Sequence, residues 1–262
     1  MPEDSGADVE PRVPQELSRL WRVSEAGRMG RPAELDVERV VTAAVALADE
    51  AGLPAVTLPN IAKSLGYSTM SLYRHVGSKD ELLTLLLDAG VGAPPDIRSA
   101  PDRWRPGLRR WTLALREVYT ARRWLLDIPL AGPPSGPNQI AWLDTGLRVL
   151  RAAPLTPSAK IAVLTLLAGY VRQMVTLAAD HAPALGSDPA HAYRTYAATL
   201  SRLVHPDRFP YAAPLFTEFG FATPEYDREP VTAFHFDFGL DTILRGITPD
   251  TPTADNDRPP ST

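Results

Sequence analysis

Apolar residues recur along this chain three and four positions apart, in one block after another, and no stretch shows the two-residue alternation of a half-buried strand. Val40, Ala44, Leu47, Ala48 and Ala51 form the first stripe. Asp36 caps its start, Glu38 lies near its positive end, and Gly52 stops it. A second, short helix buries Ile61, Ala62 and Leu65. Thr57 caps it, Pro59 occupies the first turn, where a missing N–H costs nothing, and Gly66 ends it by accepting a positive φ. A third runs from its cap, Ser68, to about His75 and buries Leu72. A fourth opens at the capping box Ser78-Lys79-Asp80-Glu81 and carries Leu82, Leu83, Leu86 and Leu87.

Gly and Pro punctuate residues 90–101, which read as a domain boundary. Beyond it, Trp104 to Tyr119 repeats at Leu108, Trp111, Leu115 and Tyr119, and Asn138 to Ala152 repeats at Ile140, Leu143, Leu147 and Leu150. A long helix from Thr156 through about Ala179 is apolar around much of its circumference and should be buried on more than one side. Further helices are predicted over Pro189 to Val204 and Val231 to Ile247. The pattern predicts an all-α protein. An N-terminal extension (1–34) precedes a helix-turn-helix domain (35–90). A larger helical domain (101–248) follows, then a polar tail (249–262).

Two short helices joined at Gly66, the second largely polar, are the pattern of a helix-turn-helix, whose second helix enters the DNA major groove. The run Ser71-Leu72-Tyr73-Arg74-His75-Val76-Gly77-Ser78-Lys79-Asp80-Glu81-Leu82-Leu83 resembles the signature of the TetR family of transcriptional regulators. Glu50-Ala51-Gly52, Thr57, Ile61-Ala62 and Leu65-Gly66 extend the resemblance upstream. It covers roughly Leu35 to Leu87. It implies a regulator, most often a repressor, that binds a palindromic operator as a homodimer and is released by a small molecule. It also implies DNA contacts at Thr57, Ser68, Thr69, Met70, Ser71, Tyr73, His75 and Lys79.

The chemistry of those side chains agrees. Tyr73 and His75 can donate to phosphate oxygens, and Lys79 adds charge at a helix start that already favours anions. Thr57 can hold a phosphate across the groove. Thr69, Met70 and Ser71 lie at the front of the second helix, where Met70 can meet a thymine methyl. The segment Gly27-Arg28-Met29-Gly30-Arg31-Pro32 reads either as an arm, with Arg28 and Arg31 reaching phosphate or minor groove, or as a solvated linker.

Net charge changes this picture only in scale. At −4, with a pI near 5.8, the chain has no global basic field, so DNA binding must rest on a local patch. The absence of cysteine removes disulfides, thiol catalysis and cysteine–zinc sites and suits a reducing cytoplasm. The histidines His181, His191, His205 and His235 lack ligand spacing. No phosphate loop, HExxH or nucleophile elbow is present, so neither metal, cofactor nor enzymatic activity is expected. No apolar run approaches the roughly 20 residues of a membrane span, so no membrane partner is expected.

Trp111, Tyr119, Trp142, Tyr170 and Met174 are candidates to line an effector pocket for an apolar or aromatic molecule, with ordinary core packing as the alternative. Val171, Val175, Leu240, Ile243 and Leu244, on the long and closing helices, are candidates for the two-fold interface. The competing reading is a helical ligand carrier or enzyme in which the helix-turn-helix is not the main functional site.

Overall fold

The computed structural model describes residues 13–23, 35–130, 132–217 and 231–248. Arg28, Arg31 and the tail lie outside them. Every regular element among the described residues is helical: α1 (Gln15–Leu20), α2 (Val37–Ala51), α3 (Leu58–Leu65), α4 (Thr69–Val76), α5 (Lys79–Val91), α6 (Trp104–Ala121), α7 (Pro137–Val149), α8 (Pro157–Leu185), α9 (Pro189–Leu200), α10 (Pro214–Thr217) and α11 (Val231–Gly246), with short 3-10 turns between some of them. The chain divides into two compact units. One combines Met1–Pro95 with Arg122–Asp144; the other combines Asp96–Ala121 with Thr145–Thr262.

In the first unit α2 packs on α3, α4 and α5. Val40, Val41, Ala44 and Ala48 supply its buried stripe, while Ala51, expected there, is exposed at the last turn. The predicted caps form. The Asp36 carboxylate accepts from the Arg39 N–H at 2.8 Å, Thr57 Oγ1 from the Asn60 N–H at 3.3 Å, and Ser68 Oγ from the Ser71 N–H at 3.3 Å. Gly66 adopts φ 75° and ψ 27°, which a Cβ would strain, and this lets α4 fold back across α3.

The capping box at the start of α5 is half formed. Ser78 Oγ accepts from the Glu81 N–H at 3.1 Å, but the Glu81 carboxylate turns away from the helix start and takes two hydrogen bonds from Arg19 of α1, at 2.7 and 2.8 Å. A full guanidinium charge outcompetes a backbone N–H for a carboxylate that is nearly stripped of water.

The segment 122–144, which the hydrophobic pattern assigns to the C-terminal domain, packs instead with the helix-turn-helix domain. Arg122 donates to the Asp49 carboxylate and to the Gly90 carbonyl, and the Trp124 indole N–H donates to Asp49 at 2.8 Å. Gly90 is where the rings and methyls of Trp124 and Leu125 press against α5, with no room for a Cβ. Further along, buried Asp88 of α5 caps α7 from outside. It accepts from the Gln139 N–H at 2.9 Å and the Asn138 side-chain amide at 3.1 Å. Burial pushes the Asp88 carboxyl above its ordinary value, although these two donors and Arg22 pull the other way.

In the second unit α6 packs on α8 and α11. Leu108, Trp111, Leu115 and Tyr119 are all buried, as the 3.6-residue period predicts. Along α7 the prediction is rotated: Trp142, Thr145, Val149 and then Leu150 are buried, whereas Ile140, Leu143 and Leu147 are half-exposed. The long helix α8 is also corrected. Within this chain it buries one stripe, Leu164, Leu167, Val171 and Val175, and leaves Ile161 and Leu166 exposed. Its Pro157–Pro183 stretch is, by length and composition, apolar enough to cross a membrane, and only 22% of its apolar window is buried. Arg172 interrupts the run, which is why contiguous apolar residues alone do not reveal it.

Arginines of α6 hold α11. Arg105 donates to the carbonyls of Leu244 and Ile247 at its C-terminus, Arg109 pairs with Asp237 at 2.7 Å and with Asp241, and Arg116 lies 4.2 Å above the Phe236 ring.

Two stability tests follow from these placements. Gly77, between α4 and α5, has φ 52° and ψ −63°, and a Cβ there would lie 2.7 Å from Arg19 Nη1, whereas nothing lies within 4 Å at Gly66. Gly77→Ala should therefore cost more than Gly66→Ala in urea unfolding, with backbone strain alone of about 1–3 kcal/mol in each case. The second concerns Asp88. Because its native pKa is raised, the folded state holds a proton that the unfolded state releases at an ordinary carboxylate value of about 3.9. Wild-type stability relative to Asp88→Asn should fall as pH rises from there to the native pKa, then level off; unfolding curves across that window measure it.

Candidate nucleic-acid interface

Helix α4 is eight residues long and amphipathic by necessity. Leu72 and Val76 are fully buried, which turns the opposite side of the helix outward. At 3.6 residues per turn, Met70 and Arg74 lie directly opposite that buried pair. Thr69 and Tyr73 lie on one flank, Ser71 and His75 on the other. Met70 is 75% exposed and Tyr73 47%, although both carry large apolar surfaces that folding would otherwise cover. Arg74 and Lys79 are also exposed and make no hydrogen bond or ion pair among the described residues.

Three helices of this unit, α3, α4 and α5, start at the exposed caps Thr57, Ser68 and Ser78. Each directs unpaired backbone N–H groups and partial positive charge outward. Three of the hydroxyls predicted to touch DNA are already engaged. Thr57 and Ser68 cap, and Ser68 and Ser71 hydrogen-bond each other through their Oγ atoms at 2.9 Å. A hydroxyl retains further bonding capacity, so capping and phosphate contact are compatible at the exposed Thr57. Sequence reasoning passed over Arg74, yet the signal was there: it stands four residues after Met70, opposite Leu72.

The remaining predicted residues divide between the two units. Trp142 belongs to the first, where its indole N–H donates to the Gly92 carbonyl at 2.9 Å. In the second, Trp111 and Tyr119 are buried on α6, while Tyr170 and Met174 are partly buried on α8. Tyr170 directs its hydroxyl to the carbonyls of His235 and Phe236, at 3.0 and 2.9 Å. Burial, then the negative charge of Asp237, raise the Tyr170 hydroxyl above its ordinary value, so it stays a neutral donor.

Of the residues expected at a two-fold interface, Val171, Val175, Leu240 and Leu244 are buried inside their own chain, and Ile243 is half-exposed. They point into the protomer because α6, α8 and α11 must first cover one another. Among the described residues, the large apolar side chains that α8 and α11 leave exposed are Ile161, Leu166, Phe234 and Phe238. No group of three or more metal-ligating side chains forms among the described residues.

Residues 40–86 match the family model described as bacterial regulatory proteins, tetR family, and residues 98–250, more than half of the chain, match that of the tetracyclin repressor-like C-terminal domain. The chain belongs to the TetR family. It is 30% identical over 242 residues to the HTH-type transcriptional repressor DrrR1 of Streptomyces coeruleorubidus, covering 90% of this chain and 85% of that protein. Apo ActR from Streptomyces coelicolor has a similar structure, with 26% identity and a TM-score of 0.66 across 81% of this chain and 96% of ActR. ActR in complex with actinorhodin gives a TM-score of 0.67 at 25% identity, with the same coverage. This TetR-family protein is thus a DNA-binding transcriptional regulator with a C-terminal ligand-binding domain, and α4 is the second helix of its helix-turn-helix.

Measurement can tell apart the roles of the exposed cations Lys79 and Arg74. Lys79→Ala should weaken binding to every duplex alike and lower the salt slope by about one counterion. Arg74→Ala should instead cost about 1–3 kcal/mol of discrimination between the operator and a base-substituted one. Fluorescence anisotropy on both duplexes across a salt series distinguishes the two.

Proposed function

We propose that this regulator is a repressor that binds an inverted-repeat operator as a homodimer in the cytoplasm and leaves it when a small apolar or aromatic molecule occupies the second unit. It carries no catalytic activity in this reading. The observation that carries the proposal is the division of α4, with Leu72 and Val76 buried and Met70, Tyr73 and Arg74 left to solvent with no task in the fold. Thr69, Met70, Ser71 and Arg74 then meet base edges, while Thr57, Tyr73, His75 and Lys79 meet phosphates.

Two-fold symmetry is supported by size and by surface. Eight residues of recognition helix read too few base pairs for useful specificity, and two copies one DNA turn or a multiple apart read a palindrome. Phe234 and Phe238, stacked with ring centroids 6.0 Å apart, continue from α11 toward a second copy, together with Ile161 and Leu166 of α8. That partner, rather than lipid, covers the apolar side of α8 in this reading.

Effector release is supported by the ligand-bound relative and by the buried aromatics Trp111 and Tyr119 of α6, with Tyr170 and Met174 partly buried on α8. Trp142 donates to Gly92 within the first unit, so the pocket proposed here draws on residues of the second unit.

Footprinting of genomic fragments captured by the full-length protein tests the proposal. It should return an inverted repeat, and Phe238→Glu should give monomers by light scattering that have lost this site. A single unrepeated site, or dimers that survive the change, would sink the operator or interface assignment respectively. A compound that lowers operator affinity, by roughly 5- to 150-fold, must itself bind less tightly by the same factor when operator is present.

A further inference from the structure

Helix α1 lies outside the part of the chain that matches the helix-turn-helix model, which begins at residue 40. Its last turn and the two residues after it nevertheless reach three distant segments of the first unit. Arg19 donates to both carboxylate oxygens of Glu81, 62 residues away. The Trp21 indole N–H donates to the Ser135 carbonyl at 2.8 Å, and Arg22 pairs with Glu38 at the start of α2, at 3.0 Å. Leu20 is buried beneath these polar contacts. Arg22 takes a left-handed backbone, φ 53°, rare for a residue with a side chain, and holds it by donating through Nη1 to the Arg19 carbonyl at 2.7 Å.

The Arg19–Glu81 pair sits at the joint between α4 and α5. Glu81 is the third residue of α5, and Gly77, which separates α4 from α5, packs so tightly against the pair that a Cβ would strike both partners. Arg19 is already satisfied, since Nη1 serves Glu81 and Nη2 the Gln15 side-chain carbonyl at 3.3 Å. A planar guanidinium spanning a carboxylate and a helix fixes direction as well as distance, which a lysine could not do.

We propose that α1 is a brace for the α4–α5 joint, and that Arg19 is a positioning residue for operator recognition that makes no DNA contact. The brace holds the recognition helix at the angle that a specific site requires. Nonspecific binding, which depends on charge and tolerates many angles, does not need it.

The test uses the full-length protein, the operator fragment footprinted for wild type, and an unrelated duplex of equal length. Arg19→Ala should weaken operator binding roughly 2- to 30-fold, the range for residues that act on a site without touching its ligand. Affinity for the unrelated duplex and both salt slopes should stay unchanged, and amide exchange over residues 77–82 should accelerate. Glu81→Ala should do the same, and the double variant should lose no more than either single one. Equal losses on both duplexes with a reduced salt slope would make Arg19 a phosphate contact and overturn the brace. Unchanged operator binding in the folded variant would overturn it as well. Should Arg19→Ala not fold, Arg19→Lys keeps the charge and removes the planar fork. Operator selectivity and exchange rates equal to wild type in Arg19→Lys would refute the proposal.

Discussion

Two carboxylates on α5, Glu81 and Asp88, are almost entirely removed from water, and each obliges a distant part of the chain to come to it. Glu81 draws in Arg19 from α1. Asp88 draws in the start of α7, through the Gln139 N–H and the Asn138 amide. Leucines 82, 85, 86 and 87 make α5 a core helix, but they accept any apolar neighbour. The charges choose the neighbours, because an unmatched buried carboxylate costs more than imperfect packing.

That arrangement explains how a short polar helix comes to be held in place. Only Leu72 and Val76 of α4 are buried, too little apolar surface to hold eight residues by themselves. Its position is set from both ends: Ser68 and the turn at Gly66 before it, Gly77 and the ion pair behind it. Its outward face is then free to be chosen for DNA. The caps illustrate the same economy, since Thr57 ends a row of backbone donors and exposes its own hydroxyl beside them.

The second unit follows a different logic. Its inner stripe on α6, α8 and α11 closes a core, and arginines from α6 lock α11 by capping, ion pairing and stacking on Phe236. What remains is an excess of apolar surface on α8 and α11. In the function proposed here, a second copy of the chain covers that surface.

The sequence by itself determined the all-α class, most helix boundaries, the caps at Asp36, Thr57, Ser68 and Ser78, and the burial of Leu72 on α4. Each of these depends on neighbours within about four positions, where a 3.6-residue period and a capping hydroxyl carry the whole instruction. Tertiary structure alone decided that Glu81 leaves its capping box for Arg19, that residues 122–144 pack with the helix-turn-helix, that Trp142 serves the first unit, and that Val171 and Leu240 face inward. Those outcomes rest on competition between partners tens of residues apart. A local pattern records that a side chain is apolar or charged, whereas which surface covers it, and which charge reaches it first, is settled only when the helices meet.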